Sequence, residues 1–215
     1  FVNGGMCFYV TPKGQNVKEY FMYLHGGGFV SQITHNEWKF VFDTVERTGY
    51  GAVVPIYPLT PEHTASEALG MLTAAYEKMC GKEDIGRLVI IGYSAGGCLA
   101  LSTAIQLWKN GSRRPDKLIL CSPVLDTEFV DRGLMEEISD HSKFMYRYYF
   151  TQEIREFLRT YWVDDSAGTP EISSPIYYDL TDICDEMAIF TVDADLLNCY
   201  ARKLYDNVKK LNMRS

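Results

Sequence analysis

One stretch constrains this chain more than any other: Gly92-Tyr93-Ser94-Ala95-Gly96-Gly97, lying directly after the apolar run Leu88 to Ile91 and directly before an Ala/Leu-rich segment. A Gly-x-Ser-x-Gly spacing is frequent enough by chance to carry little weight alone. Its surroundings carry more. A buried strand that turns at once into a helix leaves the serine at a sharp, strained corner, and flanking glycines let the turning chain pass with no Cβ in the way. Ser94 is the candidate nucleophile on that ground.

The 215 residues, 47% of them hydrophobic, are enough to bury a sizeable core, and the simplest organisation is one domain over 1–215. The net charge of −7 argues against a nucleic-acid partner, because phosphate binding needs clustered Lys and Arg, and Arg113-Arg114 is too short a cluster. No apolar run reaches the roughly 18 residues of a membrane span. Six cysteines (Cys7, Cys80, Cys98, Cys121, Cys184, Cys199) form no C-x-x-C pair and no ligand spacing with the four histidines, so neither a metal site nor a disulfide framework is expected. Cys98 and Cys121 read as small core residues, and the setting as reducing and cytoplasmic. The chain opens on Phe1 with residues 1 to 10 already strand-like, and it reads as a piece of a longer protein, shortened at both ends.

Met6 to Val10 and Tyr20 to Leu24 are predicted as neighbouring strands separated by the turn Thr11-Pro12-Lys13-Gly14. Glu37 to Thr48 has helical periodicity closed by Gly49. Ala52 to Tyr57 is the next strand, and Thr64 or Ser66 caps a helix running to about Cys80. After Leu88 to Ile91, the segment Ala95 to Trp108 is apolar on nearly every face, as in buried helices. Lys117 to Cys121 and Met187 to Val192 are continuous apolar runs, and a helix follows from Leu196 to about Leu211. Strands without polar alternation belong to parallel sheets covered on both faces, so the expected fold is α/β with a mostly parallel central sheet. From 127 to 185 the alternation breaks into an aromatic-rich excursion with helical patterns near Ser139 to Phe150 and Gln152 to Tyr161, a place where lids and pockets are built.

Acyl transfer needs a nucleophile, a base, a carboxylate to orient the base, and N–H donors for the oxyanion. Besides Ser94, the donors are legible. Ala95 opens a helix, where its N–H gains from the dipole, and His25-Gly26-Gly27-Gly28 ends a strand with amides unobstructed by side chains; Gly27 and Gly28 are the expected further donors. The set His25-Gly-Gly-Gly28, Tyr57-Pro-Leu-Thr-Pro-Glu-His63, Gly92-Tyr-Ser-Ala-Gly-Gly97, Ser122-Pro-Val-Leu-Asp126 and Ser174-Pro-Ile-Tyr177 resembles the hormone-sensitive-lipase-like esterases of the α/β-hydrolase fold.

The resemblance implies a serine carboxylic ester hydrolase for small short-chain acyl esters, acetylesterase among the readings, working without cofactor or metal. It also implies a small-molecule ester as partner, and homodimers through edge elements are a habit of that family. An inactive ligand-binding relative and an amidase or formamidase are the alternatives. The family's acid is matched by Asp195 in Val192-Asp193-Ala194-Asp195-Leu196-Leu197, with Asp126 second and Asp193 third, while His63 falls in a structural motif. Tyr93 and Cys98 stand where the family usually has Asp and Asn. The family's base is a histidine after the acid, and none follows Asp195; it is expected beyond Ser215, with His141 and His35 as displaced alternatives and loss of catalysis as a third explanation.

Overall fold

The computed structural model describes residues 1–81, 84–127, 151–163 and 170–211. Six strands form one sheet in the order β1-β3-β2-β4-β5-β6: β1 (Met6–Val10), β2 (Tyr20–Leu24), β3 (Gly51–Ile56), β4 (Leu88–Tyr93), β5 (Lys117–Cys121) and β6 (Glu186–Phe190). All neighbours are parallel except β1, which runs antiparallel to β3 with Met6 opposite Ile56 and Val10 opposite Ala52. The expectation that β1 and β2 are neighbours is therefore corrected: β3 lies between them. β2 is buried at all five residues and suits the interior, whereas β1 is largely exposed and suits an edge.

The pleat divides the core in two. Met22, Leu24, Leu88, Ile90, Leu118 and Leu120 pack with α2 (Ala65–Cys80), α3 (Ala95–Lys109) and α6 (Asn198–Lys210). Phe21, Tyr23, Val89 and Ile91 pack on the other side with Val41 and Val45 of α1 (His35–Thr48). Apolar residues at both strand parities are what two helix-covered faces require, so the continuous runs were the readable part of this arrangement.

Helix boundaries follow local hydrogen bonding. α1 starts two residues before the expected Glu37, because Thr34 accepts from Glu37 N and the Glu37 side chain returns to Thr34 N, a full capping box. Gly49 closes it in the left-handed region, φ 76°. Thr64 rather than Ser66 caps α2, again with a capping box to Glu67. α6 begins at Asn198, after the expected Leu196, because Asp195 Oδ1 accepts from Leu197 N and the Asp195 carbonyl accepts from Asn198 N, which uses those residues in a turn.

Within the excursion, α4 (Gln152–Tyr161) forms where expected, followed by the short α5 (Pro170–Ser173) and a 3₁₀ turn at Pro175–Tyr177. The expected helix near Ser139 to Phe150 lies outside the described residues, as do the aromatics Phe144, Tyr146, Tyr148, Tyr149 and Phe150 and the candidate His141. Trp162 is fully buried and stacks on Phe29 with ring centroids 4.5 Å apart, and its carbonyl accepts from Ala65 N at the start of α2. Loss of the Thr64 cap in Thr64→Ala is expected to cost about 1 kcal/mol, a fall of about 2–4 °C in Tm for a chain of this size, read by thermal unfolding followed by circular dichroism.

Candidate active site

Ser94 joins the end of β4 to the start of α3 with φ 53° and ψ −115°, a backbone state that costs a non-glycine residue about 1–3 kcal/mol and persists only where its surroundings enforce it. Those surroundings are hydrogen bonds. Ser94 N donates to the Cys121 carbonyl at 2.9 Å, and the Ser94 carbonyl accepts from Gly97 N at 2.9 Å and Val124 N at 3.0 Å. Gly96 is needed for close approach: a Cβ there would strike the carbonyl oxygens of Leu24 and His25, so the elbow packs directly against the end of β2. Ala95 is buried at the first position of α3, and the helix has no side-chain cap, which leaves its first amides facing the Ser94 corner.

The same contact brings the glycine loop to the elbow. His25 is fully buried, its ring stacked on Tyr57 at 4.1 Å, its carbonyl bonded by the Tyr57 hydroxyl at 2.7 Å. Gly26 is buried and its N–H donates to Glu37 Oε1 at 2.7 Å, while the Tyr93 ring lies over its Cα. Gly27 has φ 108° and its carbonyl accepts from Val30 N and Ser31 N, closing the turn. Gly27 and Gly28 are exposed, and among the described residues their N–H groups donate to no protein group. The elbow and the glycine loop are thus in contact, through Gly96 against the ends of Leu24 and His25 and through Tyr93 against Gly26.

Asp195 lies on the same carboxyl edge, two strands away. Tyr93, Cys121 and Phe190 are level in the sheet, so the loop after β6 starts roughly 10 Å from the elbow at the usual strand spacing. Asp195 is partly exposed, with Oδ1 held by Leu197 N at 2.9 Å. The two rivals are occupied otherwise. Asp126 is fully buried and accepts from the hydroxyls of Ser174 (3.0 Å), Tyr177 (2.9 Å) and Tyr200 (3.2 Å), and Asp193 is exposed and paired with Arg202. Asp126 therefore reads as a hub tying the end of β5 to the Ser174 turn and to α6. Its partners lie 48 to 74 residues away, and no local pattern announces them.

The histidines have other surroundings. His63 is exposed beside Glu67, and His35 is exposed in the first turn of α1. Cys98, at the family's usual Asn position, is buried, and its thiol donates to the carbonyls of Ile172 and Ser173; burial pushes it up to about 12. Glu37 was missed in the sequence as a site residue, although Thr34-x-x-Glu37 is a legible capping-box pattern. Among the described residues no His, Cys, Asp and Glu cluster could hold a metal ion, and no helix is long and apolar enough to cross a membrane.

Residues 21–214 match the family described as alpha/beta hydrolase fold. The chain belongs to that family. This hydrolase-fold chain is similar to a triacylglycerol lipase from Mycobacterium tuberculosis (strain ATCC 25618 / H37Rv), 32% identical over 123 residues, covering 57% of this chain and 28% of the relative. It is also similar to an esterase from Acinetobacter venetianus, 26% identical over 176 residues, covering 78% of this chain and 56% of that one. It thus spans less than two thirds of the length of either relative. Among solved structures, a Pyrobaculum calidifontis esterase superposes with TM-score 0.80 at 23% identity, over 97% of this chain and 68% of that one. An esterase from the bacterial hormone-sensitive lipase family superposes with TM-score 0.79 at 22% identity, over 98% and 69%. These likenesses show the mostly parallel α/β fold expected from the sequence.

Two outcomes test the geometry. Asp126→Ala leaves three hydroxyls without their acceptor and is expected to lower stability by about 3 kcal/mol or more, seen as a lower urea midpoint, with Asp126→Asn losing less. Burial holds the His25 imidazole below its ordinary 6.5, so the folded protein keeps it neutral while the unfolded chain takes up a proton. That contribution is full above pH 6.5 and is lost as pH falls below it, so urea midpoints measured across pH 7.5 to 5 should decline in the parent more than in His25→Asn.

Proposed function

We propose that this chain is the core of a carboxylic ester hydrolase of the hormone-sensitive-lipase-like branch, acting on small short-chain acyl esters through a serine nucleophile. The observation that carries the reading is the Ser94 corner, φ 53° at a strand-to-helix turn, packed against a glycine loop whose Gly27 and Gly28 are exposed and donate to no group among the described residues. A polar residue held in strain at a carboxyl edge is costly unless it is used.

In this reading Ser94 Oγ attacks the acyl carbonyl, its proton passes to a histidine, and the carbonyl oxygen becomes an oxyanion held by the N–H groups of Ala95, Gly27 and Gly28. The histidine then protonates the departing alkoxide, leaving an acyl ester on Ser94. Water, deprotonated by the same histidine, attacks that ester, and the histidine returns the proton to Ser94 Oγ as the acid departs. Asp195 orients the histidine, which the proposal places outside residues 1–215. An edge two strands from the nucleophile suits this role, since an imidazole must fit between the two. The cap is proposed over 127–185 of a single domain. Six free cysteines support a reducing, cytoplasmic setting, and a homodimer is the proposed assembly.

The test uses the complete protein with p-nitrophenyl esters from acetate to decanoate. Turnover is expected to be highest for the short acyl chains, and Ser94→Ala should lower it by about a thousandfold or more. Turnover that survives Ser94→Ala would sink the proposal. Binding of an ester that is never turned over would point instead to a ligand-binding module, and anilides cleaved faster than esters to an amidase.

A further inference from the structure

The N–H groups of a glycine loop bind an oxyanion only if they point outward together, and a run of glycines does not hold itself in one conformation. Several contacts hold this loop, among them the His25 Nδ1 contact with the Gly26 carbonyl at 2.7 Å and the Thr60 amide on the Phe29 carbonyl. Tyr57 takes the His25 carbonyl, Val30 and Ser31 amides take the Gly27 carbonyl, and Glu37 takes the Gly26 amide. Glu37 differs from the others in that its carboxyl also accepts from Thr34 and Tyr23.

Glu37 joins three segments. Oε1 accepts from Gly26 N at 2.7 Å and from the Tyr23 hydroxyl of β2 at 3.3 Å, and Oε2 accepts from Thr34 N at 2.9 Å and from the Thr34 hydroxyl at 2.8 Å. All four donors converge on one half-buried side chain. Burial alone would raise its pKa, but bonds from the Thr34 and Gly26 backbone outweigh it and hold Glu37 below the ordinary carboxyl value. Gly26 is buried where water cannot serve its amide, whereas Gly27 and Gly28 are exposed. The carboxyl therefore consumes the first amide of the run inward.

We propose that Glu37 is a positioning residue for the oxyanion-binding loop, fixing Gly26 so that Gly27 and Gly28 present their amides at Ser94. The inference rests on the esterase reading for its kinetic consequence but not for its structural one. Charge-assisted bonds of this kind are the stronger ones, so the carboxylate fixes the Gly26 peptide more firmly than a neutral acceptor would. Tyr23 adds a fixed point on the sheet, so the pin is referenced to the core rather than to the loop itself.

The capping half of Glu37 must be separated from the loop half, and two further variants do this. Thr34→Val removes the cap hydroxyl and leaves the Gly26 contact. Glu37→Gln keeps a carbonyl oxygen for Gly26 but loses an acceptor for Thr34.

In the complete protein, with p-nitrophenyl acetate as substrate, Glu37→Ala is expected to lower kcat by about 10- to 100-fold with KM within about twofold, the pattern of a lost oxyanion arrangement. Thr34→Val is expected to lower Tm with kcat unchanged, and Glu37→Gln to restore kcat to within about threefold of the parent. Amide hydrogen exchange supplies a readout independent of turnover: the Gly26 amide should exchange at least about tenfold faster in Glu37→Ala than in the parent. If Glu37→Ala and Thr34→Val lose kcat alike, if Gln fails to rescue, or if Gly26 exchange is unchanged, the inference is overturned. Should the parent hydrolyse no ester at all, the esterase reading fails by itself, and Gly26 exchange alone decides the role of Glu37.

Discussion

The arrangement depends on the main chain of Ser94 being gripped from both sides. Its amide is held by the neighbouring strand through Cys121 and its carbonyl by Gly97 and Cys98 at the start of α3 and by Val124, so a conformation that would relax in a free peptide is enforced by four bonds. Each contributes about 1 kcal/mol, enough together to offset strain of the size expected for that φ and ψ. The grip needs β4 and β5 paired in register and Gly96 able to lie against the end of β2. Pairing β4 with β5 and packing β2 on the elbow are thus prerequisites of the site, and the parallel sheet is what supplies them.

Much of this was legible because it is local. The runs Met6–Val10, Tyr20–Leu24 and Lys117–Cys121 occur as strands with the bounds read from the sequence, and α4 does so too, since each is a short apolar or periodic segment bounded by turn residues. The order of strands was less legible. Nothing within Met6–Val10 says that its partner is β3 rather than β2; the exposure of β1 and the burial of β2 decide it, and both are properties of the assembled sheet. Ser94, Ala95 and the glycine loop were visible because a nucleophile turn and an amide cradle both require glycine at fixed places. Glu37 was not visible as a site residue, and Asp126 was read only as the second candidate for the acid, not as a hub. Their roles come from hydrogen bonds across 11 to 74 residues, and a carboxyl in a helix's first turn or at a strand end has many bland explanations.

The two acidic hubs divide the labour. Glu37 gathers β2, the glycine loop and α1 on one side of the elbow, and Asp126 gathers the end of β5, the Ser174 turn and α6 on the other. Val124, two residues before Asp126, bonds the Ser94 carbonyl, so the second hub is connected to the corner it flanks. The proposed acid, Asp195, precedes the same helix that carries Tyr200, which links its loop to that hub.

The Asp126 hub also closes a circuit in the chain. Thr127 N donates to the Ser173 carbonyl, and the next residue, Ser174, donates to Asp126, so the start of the excursion is bonded to residues 173 and 174 within it. Residues 128–172 are therefore closed off on a single stem. For a loop on fixed stems the entropy of closure grows only slowly with length, about 0.6 kcal/mol for each doubling. Changes of length between those feet therefore cost little in closure entropy, provided that Leu158 and Trp162, which the core buries, keep their places.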